Sequence, residues 1–591
     1  MAKAVAQSIR LKPQRDLFDP DFEGYKLSSD GETTVYSRAV PEGVQYKPCQ
    51  STCYLHTRLQ ALQNHLFQDP FHPFAVYFFN SRGHLVKCSY SEGARLSEGE
   101  VTWQADVGIA EDVEGEYYYP PTLRFPTQNL AVVSDGRGRL SVLQTDNRSS
   151  THTWVVNFET EADRGVLTDA CVRCEGRELH CLLVTITTPD KLKQNPDFVV
   201  PDDAFGSKTD TALHLIHWLV LSQKGAGWEV SRNRAVAGRG VLEYCAVDSE
   251  GSGLLVLCHS NYLFVGDSVE AVTKPNPQPE KTSEEQPKFT FQQSDEDLTV
   301  WLKTGSATKQ DVQVKITVNE LDVSIKDTPS FQAHFLHPIK ADMATWTIGD
   351  GRLELMLPKA SEGVKWQTLF TPEDNVLGEE VVDPARLEEM SQSLAHLTSD
   401  KLNPDPAVDK PAYDPEQLED CDTASEDLLL LRLDGSSHQL TNYGQLGATQ
   451  HLFNMQVDET SVPAFCIRHD VDAVLWQPRS QVQFTHLATY HAFGYVRASK
   501  TTAKFTCGAS DLSYVAVADV RSHVYVFFQP EALTSELRNR KSGQRLHKVS
   551  RQLVISLKTH SEVLGMCASP GMLFVLTDKM LYAYCLRSGS G

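Results

Sequence analysis

Two short constellations carry residue types that could do chemistry. Cys171-x-x-Cys174, with His180 and Cys181 close behind, supplies the paired thiols and imidazole that zinc favours. The second pair is not at knuckle spacing, and Cys181-Leu-Leu-Val-Thr-Ile186 reads as a strand whose cysteine packs, so no metal is assigned. Cys49 and Cys53 have no complementary pair. His469-Asp470-x-Asp472 combines imidazole with carboxylates, which suits a metal or general acid/base work. Its plainer reading is a turn between strands where His and Asp bond nearby backbone, because Ala473, Leu475 and Trp476 follow as strand residues. There is no Gly-x-x-x-x-Gly-Lys loop, Gly-x-Ser-x-Gly elbow or His-Glu-x-x-His. Gly136-Arg137-Gly138 and Gly238-Arg239-Gly240 read as turns rather than phosphate cradles. Catalysis has no anchor residue, so no catalytic, cofactor-binding or metal position and no cofactor are expected.

Charge narrows the partners. The 591 residues carry 55 Lys and Arg against 77 Asp and Glu, a formal charge of −22, which opposes non-specific binding to nucleic acid or anionic membrane. The dense basic segment, Arg538-Asn-Arg540-Lys541-Ser-Gly-Gln-Arg545-Leu-His-Lys548, reads as a solvated loop, or as a contact for an acidic surface. No run of eighteen apolar residues occurs and the first ten residues lack an apolar signal core, so a soluble intracellular protein is expected. The 13 cysteines are scattered, mostly in apolar strand-like runs such as Tyr244-Cys245-Ala246-Val247, and read as reduced buried thiols. Asn147-Arg148-Ser149 is a glycosylation sequon without a secretory signal to make it useful.

The elements that would position such residues are short strands. Before about residue 270 and again after about 428, apolar runs alternate with Gly, Asn and Asp turns, the texture of a sandwich, barrel or propeller. His469-x-x-x-Ala473-Val474-x-Trp476 echoes a WD-repeat blade. Together the two stretches suit six or seven blades of about 40–50 residues. The predicted fold is therefore all-β: residues 1–272 and 428–591 form one split β-propeller, the alternative being two separate β domains. Residues 273–287, with four prolines and no aliphatic residue, read as a linker. Within 371–427, Leu387, Met390, Leu394 and Leu397 fall on one face of a short amphipathic helix behind Asp383-Pro384, and Tyr413 to Asp427 forms an acidic tether.

Between the linkers, residues 288–370 form a compact β unit. Strands are predicted at Leu298–Leu302, Val312–Val318 and Leu321–Ile325, then a hairpin of Trp346–Ile348 and Leu353–Leu357 around Gly349-Asp350-Gly351. This strand order, the Phe289-Thr290-Phe291 opening and the Trp346…Leu353-Glu354-Leu355…Trp366 pattern resemble the CS domain, a small antiparallel β-sandwich. Trp346 and Trp366 are read as core anchors. Pro358 departs from the pattern at the end of the last strand. Asp19-Pro20-Asp21-Phe22-Glu23-Gly24-Tyr25-Lys26-Leu27 and Cys466 to Pro478 extend the resemblance to the NudC family over nearly the whole chain.

That resemblance implies a non-enzymatic co-chaperone or adaptor, cytoplasmic and nuclear. It implies a DEAH-box RNA helicase as partner of the propeller, and a heat-shock chaperone or β-propeller clients as partners of the CS domain. No membrane and no direct nucleic-acid contact are expected. A propeller scaffold binding RNA, or a propeller-based enzyme built around His469, Asp470 and Asp472, are the competing classes.

Overall fold

The computed structural model describes residues 6–586 apart from 105–116, 273–288, 381–426 and shorter loop stretches. The predicted helix at Leu387 to Leu397, the proline-rich linker and nearly all of the acidic tether lie outside the described residues. The chain divides into two units, Met1–Pro275 with Cys421–Gly591, and Asn276–Asp420.

The first unit holds seven antiparallel sheets among the described residues, each a blade. Blades 2, 3 and 4 follow in chain order, starting at Phe67–Asp69, Thr122–Thr127 and Val166–Arg173. Blade 5 is shared between the two halves of the sequence: Leu242–Val247 and Gly253–Cys258 precede the insertion, Leu429–Asp434 and Leu440–Gln445 follow it. Gly253 to Cys258 pair residue by residue with Asp434 to Leu429. Two independent β domains flanking the insertion would not share a blade in this way. Blades 6 and 7 begin at His451–Met455 and Ala503–Gly508. Blade 1 closes the ring, taking its outer strand Thr34–Ala39 from the start of the chain and Val563–Ser569, Met572–Thr577 and Met580–Cys585 from its end.

Continuous apolar strands explain why the sheets stack radially. In Tyr514–Asp519 every residue is buried. Tyr514, Ala516 and Ala518 face the core shared with blade 1, and Val515 and Val517 face the core shared with blade 6. A strand buried on both sides needs apolar residues in both registers. One such core lies between every adjacent pair of blades, seven in all, so the ring is closed.

The amino-terminal segment straps the rim. Gln7–Ser8 adds in parallel to the edge of blade 5 and Tyr25–Ser28 to the edge of blade 7. Between them it crosses blade 6, where the Gln14 backbone N–H donates to His486 Nδ1 (3.0 Å) and Phe18 packs on the rings of His469 and His486. Tyr25 donates its hydroxyl to the His491 carbonyl at 2.6 Å and packs edge-on to Phe527.

The second unit is a two-sheet sandwich. Thr345–Gly349, Arg352–Pro358, Asp297–Lys303, Phe289–Gln293 and Gly378–Glu380 form one sheet, and Val312–Ile316, Glu320–Ile325 and Phe331–His334 the other. Leu298, Val300 and Leu302 are buried as their alternation predicts. Val318 instead lies past the strand end, half exposed, because Thr317 to Glu320 make the turn. Pro358 ends its strand opposite Asp297, yet the pairing runs one bond further, from the Lys359 N–H to the Glu296 carbonyl, while the Pro358 carbonyl accepts from the Lys340 N–H. Trp366 is buried in the core, and Gln293 grips its backbone from both sides, accepting from its N–H and donating to its carbonyl. Trp346 packs at the core edge and is partly exposed.

A chain in which residues 276–420 are replaced by a short Gly-Ser linker is expected to keep a single cooperative melting transition by circular dichroism. The fragment 1–272 lacks half of blade 5 and three strands of blade 1, and is expected to aggregate. A well-behaved fragment melting sharply would contradict the closed ring.

Candidate functional site

The innermost strands surround a channel that holds two cavities, of ≈660 Å³ and ≈580 Å³. Both are lined by Asn64, Arg124, Thr168, Asn454 and Met566, which places these residues where the two meet. The larger opens among the hairpin turns carrying Phe71, Gln128, Arg173 and Glu459. The smaller lies at the opposite mouth, lined by the helix Tyr54–Ala61.

That helix is anchored by charge. Arg58 donates to both oxygens of Glu243 at 2.9 Å, and His259 and His451 stand 3.6 and 3.5 Å from the same carboxylate. Burial alone would raise the Glu243 pKa, but hydrogen bonds from the two histidines and the Arg58 charge outweigh it and hold the carboxyl far below its ordinary range. Beside it, Lys504 donates to Glu562 (2.7 Å) and to the Val563 carbonyl. Arg497 donates to Thr506 Oγ1, and Arg124 to the carbonyls of Thr168 and Leu123.

The residues singled out in the sequence are pulled apart. Cys171 stands opposite His180 across a strand pair and Ala170 opposite Cys181, so the two cysteines face opposite sides of blade 4. Cys171 joins the core with blade 5, and Cys181 the core with blade 3. Cys174 is exposed and bonds Glu178, while His180 Nδ1 accepts from Trp218 Nε1 at 3.0 Å. Burial pushes the thiols of Cys245, Cys258 and Cys567 up to about 12, where they stay protonated.

His469 and Asp472 pair across a hairpin whose turn residue Asp470 has φ 55°. Asp472 accepts the Ala492 N–H at 2.6 Å, the Asp470 carbonyl accepts from Arg468, and His469 lies under Phe18 of the strap. Each is engaged in turn or strap rather than gathered around a substrate. Gly136 makes a turn with φ 73° where a Cβ would strike the Tyr119 carbonyl. Gly238 closes its strand, its missing side chain making room for the Tyr262 ring, and Gly240 makes the bend that follows with φ 74°. Of the basic segment, Arg538 and Arg545 to Lys548 lie in paired strands, and residues 539–544 lie outside the described residues. Strand Arg545–Ser556 is 12 residues long, pairing with Glu531–Arg538 through its first half and with His523–Phe528 through its second, which prolongs blade 7.

Two ion networks emerge only in three dimensions. Asp267, Glu270 and His438 bring their ligand atoms within 4.8 Å. Arg232 reaches both carboxylates, Asp267 at 2.6 Å and Glu270 at 2.9 Å, and His438 Nε2 meets Asp267 at 2.7 Å. The guanidinium supplies the positive charge a metal would bring, so the cluster ties blade 4 to blade 5. Arg148, the middle residue of the sequon, is fully buried and forks onto Asp69 (2.6 and 3.0 Å), also donating to Thr127 O and Thr145 Oγ1. It joins blade 3 to blade 2. Neither network has a sequence signal, since its partners lie 79 and 171 positions apart.

An all-β propeller with a CS-type sandwich inserted in one blade defines the class of this protein. The CS domain family model matches residues 287–359. The chain is 30% identical over 590 residues to NudC domain-containing protein 1 of Mus musculus, covering 98% of each. It is 29% identical over 588 residues to the Xenopus laevis protein of that name, covering 97% of each. Among solved structures, the WD40 domain of SCAP from fission yeast is similar over 95% of this chain and 98% of its own, with a TM-score of 0.25 and 8% identity. The chain belongs to the NudC domain-containing protein 1 family.

Removing the Asp69 carboxylate leaves a buried guanidinium uncompensated. Asp69→Ala is expected to cost about 3–5 kcal/mol in urea denaturation, and an effect below about 1 kcal/mol would show the pair to be dispensable. Acid should also destabilise the propeller. Burial, the largest cause in each, lowers the pKa values of His65, His180 and His214 to about 4. Between about pH 6.5 and 4 the unfolded chain therefore binds protons that the folded chain refuses, and stability falls as pH drops. The melting temperature is expected to decline steadily from pH 7 to pH 5, and a flat profile would contradict this.

Proposed function

We propose that this protein is a non-enzymatic adaptor and co-chaperone, with the propeller holding one specific protein partner and the CS sandwich engaging a chaperone or its client. The observation that supports this reading is the family membership together with the insertion itself: a CS-type sandwich interrupts the propeller between Tyr262–Asp267 of blade 4 and Leu429–Asp434 of blade 5. Two binding modules on one chain raise the effective concentration of each partner for the other, so weak contacts can bridge two proteins.

The family resemblance suggests a DEAH-box RNA helicase for the propeller and a heat-shock chaperone or β-propeller client for the CS domain, in cytoplasm and nucleus. The geometry of His469, Asp470 and Asp472 favours this reading over an enzyme, because each is engaged in the turn or the strap.

Affinity purification of the full chain beside a form lacking 288–370 and a form reduced to 288–370, each followed by mass spectrometry, tests the division of labour. A helicase following the propeller and a chaperone following the CS domain are expected. Recovery of neither from the full chain would overturn the adaptor reading.

A further inference from the structure

The ≈580 Å³ cavity under helix Tyr54–Ala61 has a charge that contradicts the rest of the chain. Arg58, Arg124, Arg497 and Lys504 line it, against a single lining carboxylate, Glu243. Glu243 is matched by Arg58 and Lys504 by Glu562 behind the wall, which leaves two guanidiniums in surplus. Among the described residues, no carboxylate lies within ion-pair distance of Arg124 or Arg497, whose hydrogen bonds run to neutral oxygens alone. Burial lowers the pKa of each, but a guanidinium is too basic to lose its proton in a protein, so both are charged. Asp169 exerts some attraction on Arg124 from the other cavity, but its own carboxylate is bonded to the Val247 N–H and burial raises its pKa. In a chain of formal charge −22, Arg497 without a counter-charge and Arg124 with Asp169 alone, outside ion-pair distance, are costly unless something anionic visits them.

We propose that this mouth of the channel is the propeller's partner site, and that it takes a carboxylate side chain from an acidic segment of the partner protein. The proposal deepens the adaptor reading and rests on it. Carboxylate fits better than phosphate because Arg124 already commits Nε and Nη1 to carbonyls, leaving one nitrogen for a monodentate, singly charged oxygen. Arg497 commits Nε alone and keeps its outer pair of nitrogens for a fork onto the same or a neighbouring carboxylate. A polyanion gains nothing from the chain's long-range field, so affinity here must be local and depend on these two arginines.

The test uses the full-length protein and fluorescein-labelled hexaglutamate, followed by fluorescence anisotropy at low and at physiological salt. Arg497→Gln and Arg124→Gln are each expected to weaken binding about tenfold or more while the protein stays folded by circular dichroism. Should Arg124→Gln fail to fold, Arg124→Lys, which keeps the charge and loses the fork, stands in for it, and Arg497→Gln decides independently. Peptide affinity unchanged in Arg497→Gln, or no peptide binding at all, overturns the site. Inorganic phosphate binding with the same arginine dependence, while the peptide does not bind, overturns the carboxylate assignment. Parallel purifications separate the two levels: partners retained on the variants defeat this site and leave the adaptor intact, whereas no reproducible partner on the wild-type chain defeats the adaptor itself.

Discussion

Ring closure is the constraint on which the rest of this protein depends. Each blade is apolar on both faces, so none can be stable until both neighbours are present. Two pairings complete the circle across long stretches of sequence. One joins Thr34–Ala39 to Met580–Cys585, and the other joins Gly253–Cys258 to Leu429–Asp434. The second explains how a whole domain can interrupt a blade: after Gly253–Cys258 the chain adds Tyr262–Asp267 to blade 4, runs through the insertion, and returns to blade 5 at Leu429–Asp434, with the surrounding cores holding the pair in register. Gly253 contributes directly, since a Cβ there would come within 2.7 Å of the Arg432 guanidinium that binds Asp248 across the join.

Charge is handled in two ways inside the ring. Where blades 2 and 3 meet, Arg148 and Asp69 are matched and fully buried, the condition under which buried ions are tolerated, and within blade 4 the half-buried Arg232 pairs with Asp267. Loss of either Arg148 or Asp69 would leave an ion with no water to turn to. At the channel mouth the matching is incomplete: Glu243 is satisfied several times over, while Arg124 and Arg497 meet neutral oxygens alone. The two sets of ions thus differ in their partners rather than in their burial.

Much of the sandwich was legible. Period-2 alternation at Leu298, Val300 and Leu302 identified strand and core face together, because one face alone is buried in a sandwich. Trp366 was recognisable as an anchor, and it fills the core; Trp346, placed at the core's edge, is less enclosed than an anchor would be. Propeller strands announced themselves as apolar runs between Gly and Asp turns, but such runs carry no register and no neighbour. The channel residues had no signature at all. Arg58, Arg124, Glu243 and Arg497 come from a connecting helix, blade 3, blade 5 and the helix Phe493–Ala498, and nothing local distinguishes them from surface charges.

Residue types and their local periods, then, determined the all-β class, the CS pattern, the acidic balance and the lack of any recognisable catalytic motif, since each is written in neighbouring residues. The number of blades, the sharing of blade 5 between the two halves, the amino-terminal strap and the convergence of cations at one mouth of the channel were decided by tertiary structure alone. They depend on which apolar faces meet, and an apolar face is compatible with many partners until the ring has closed.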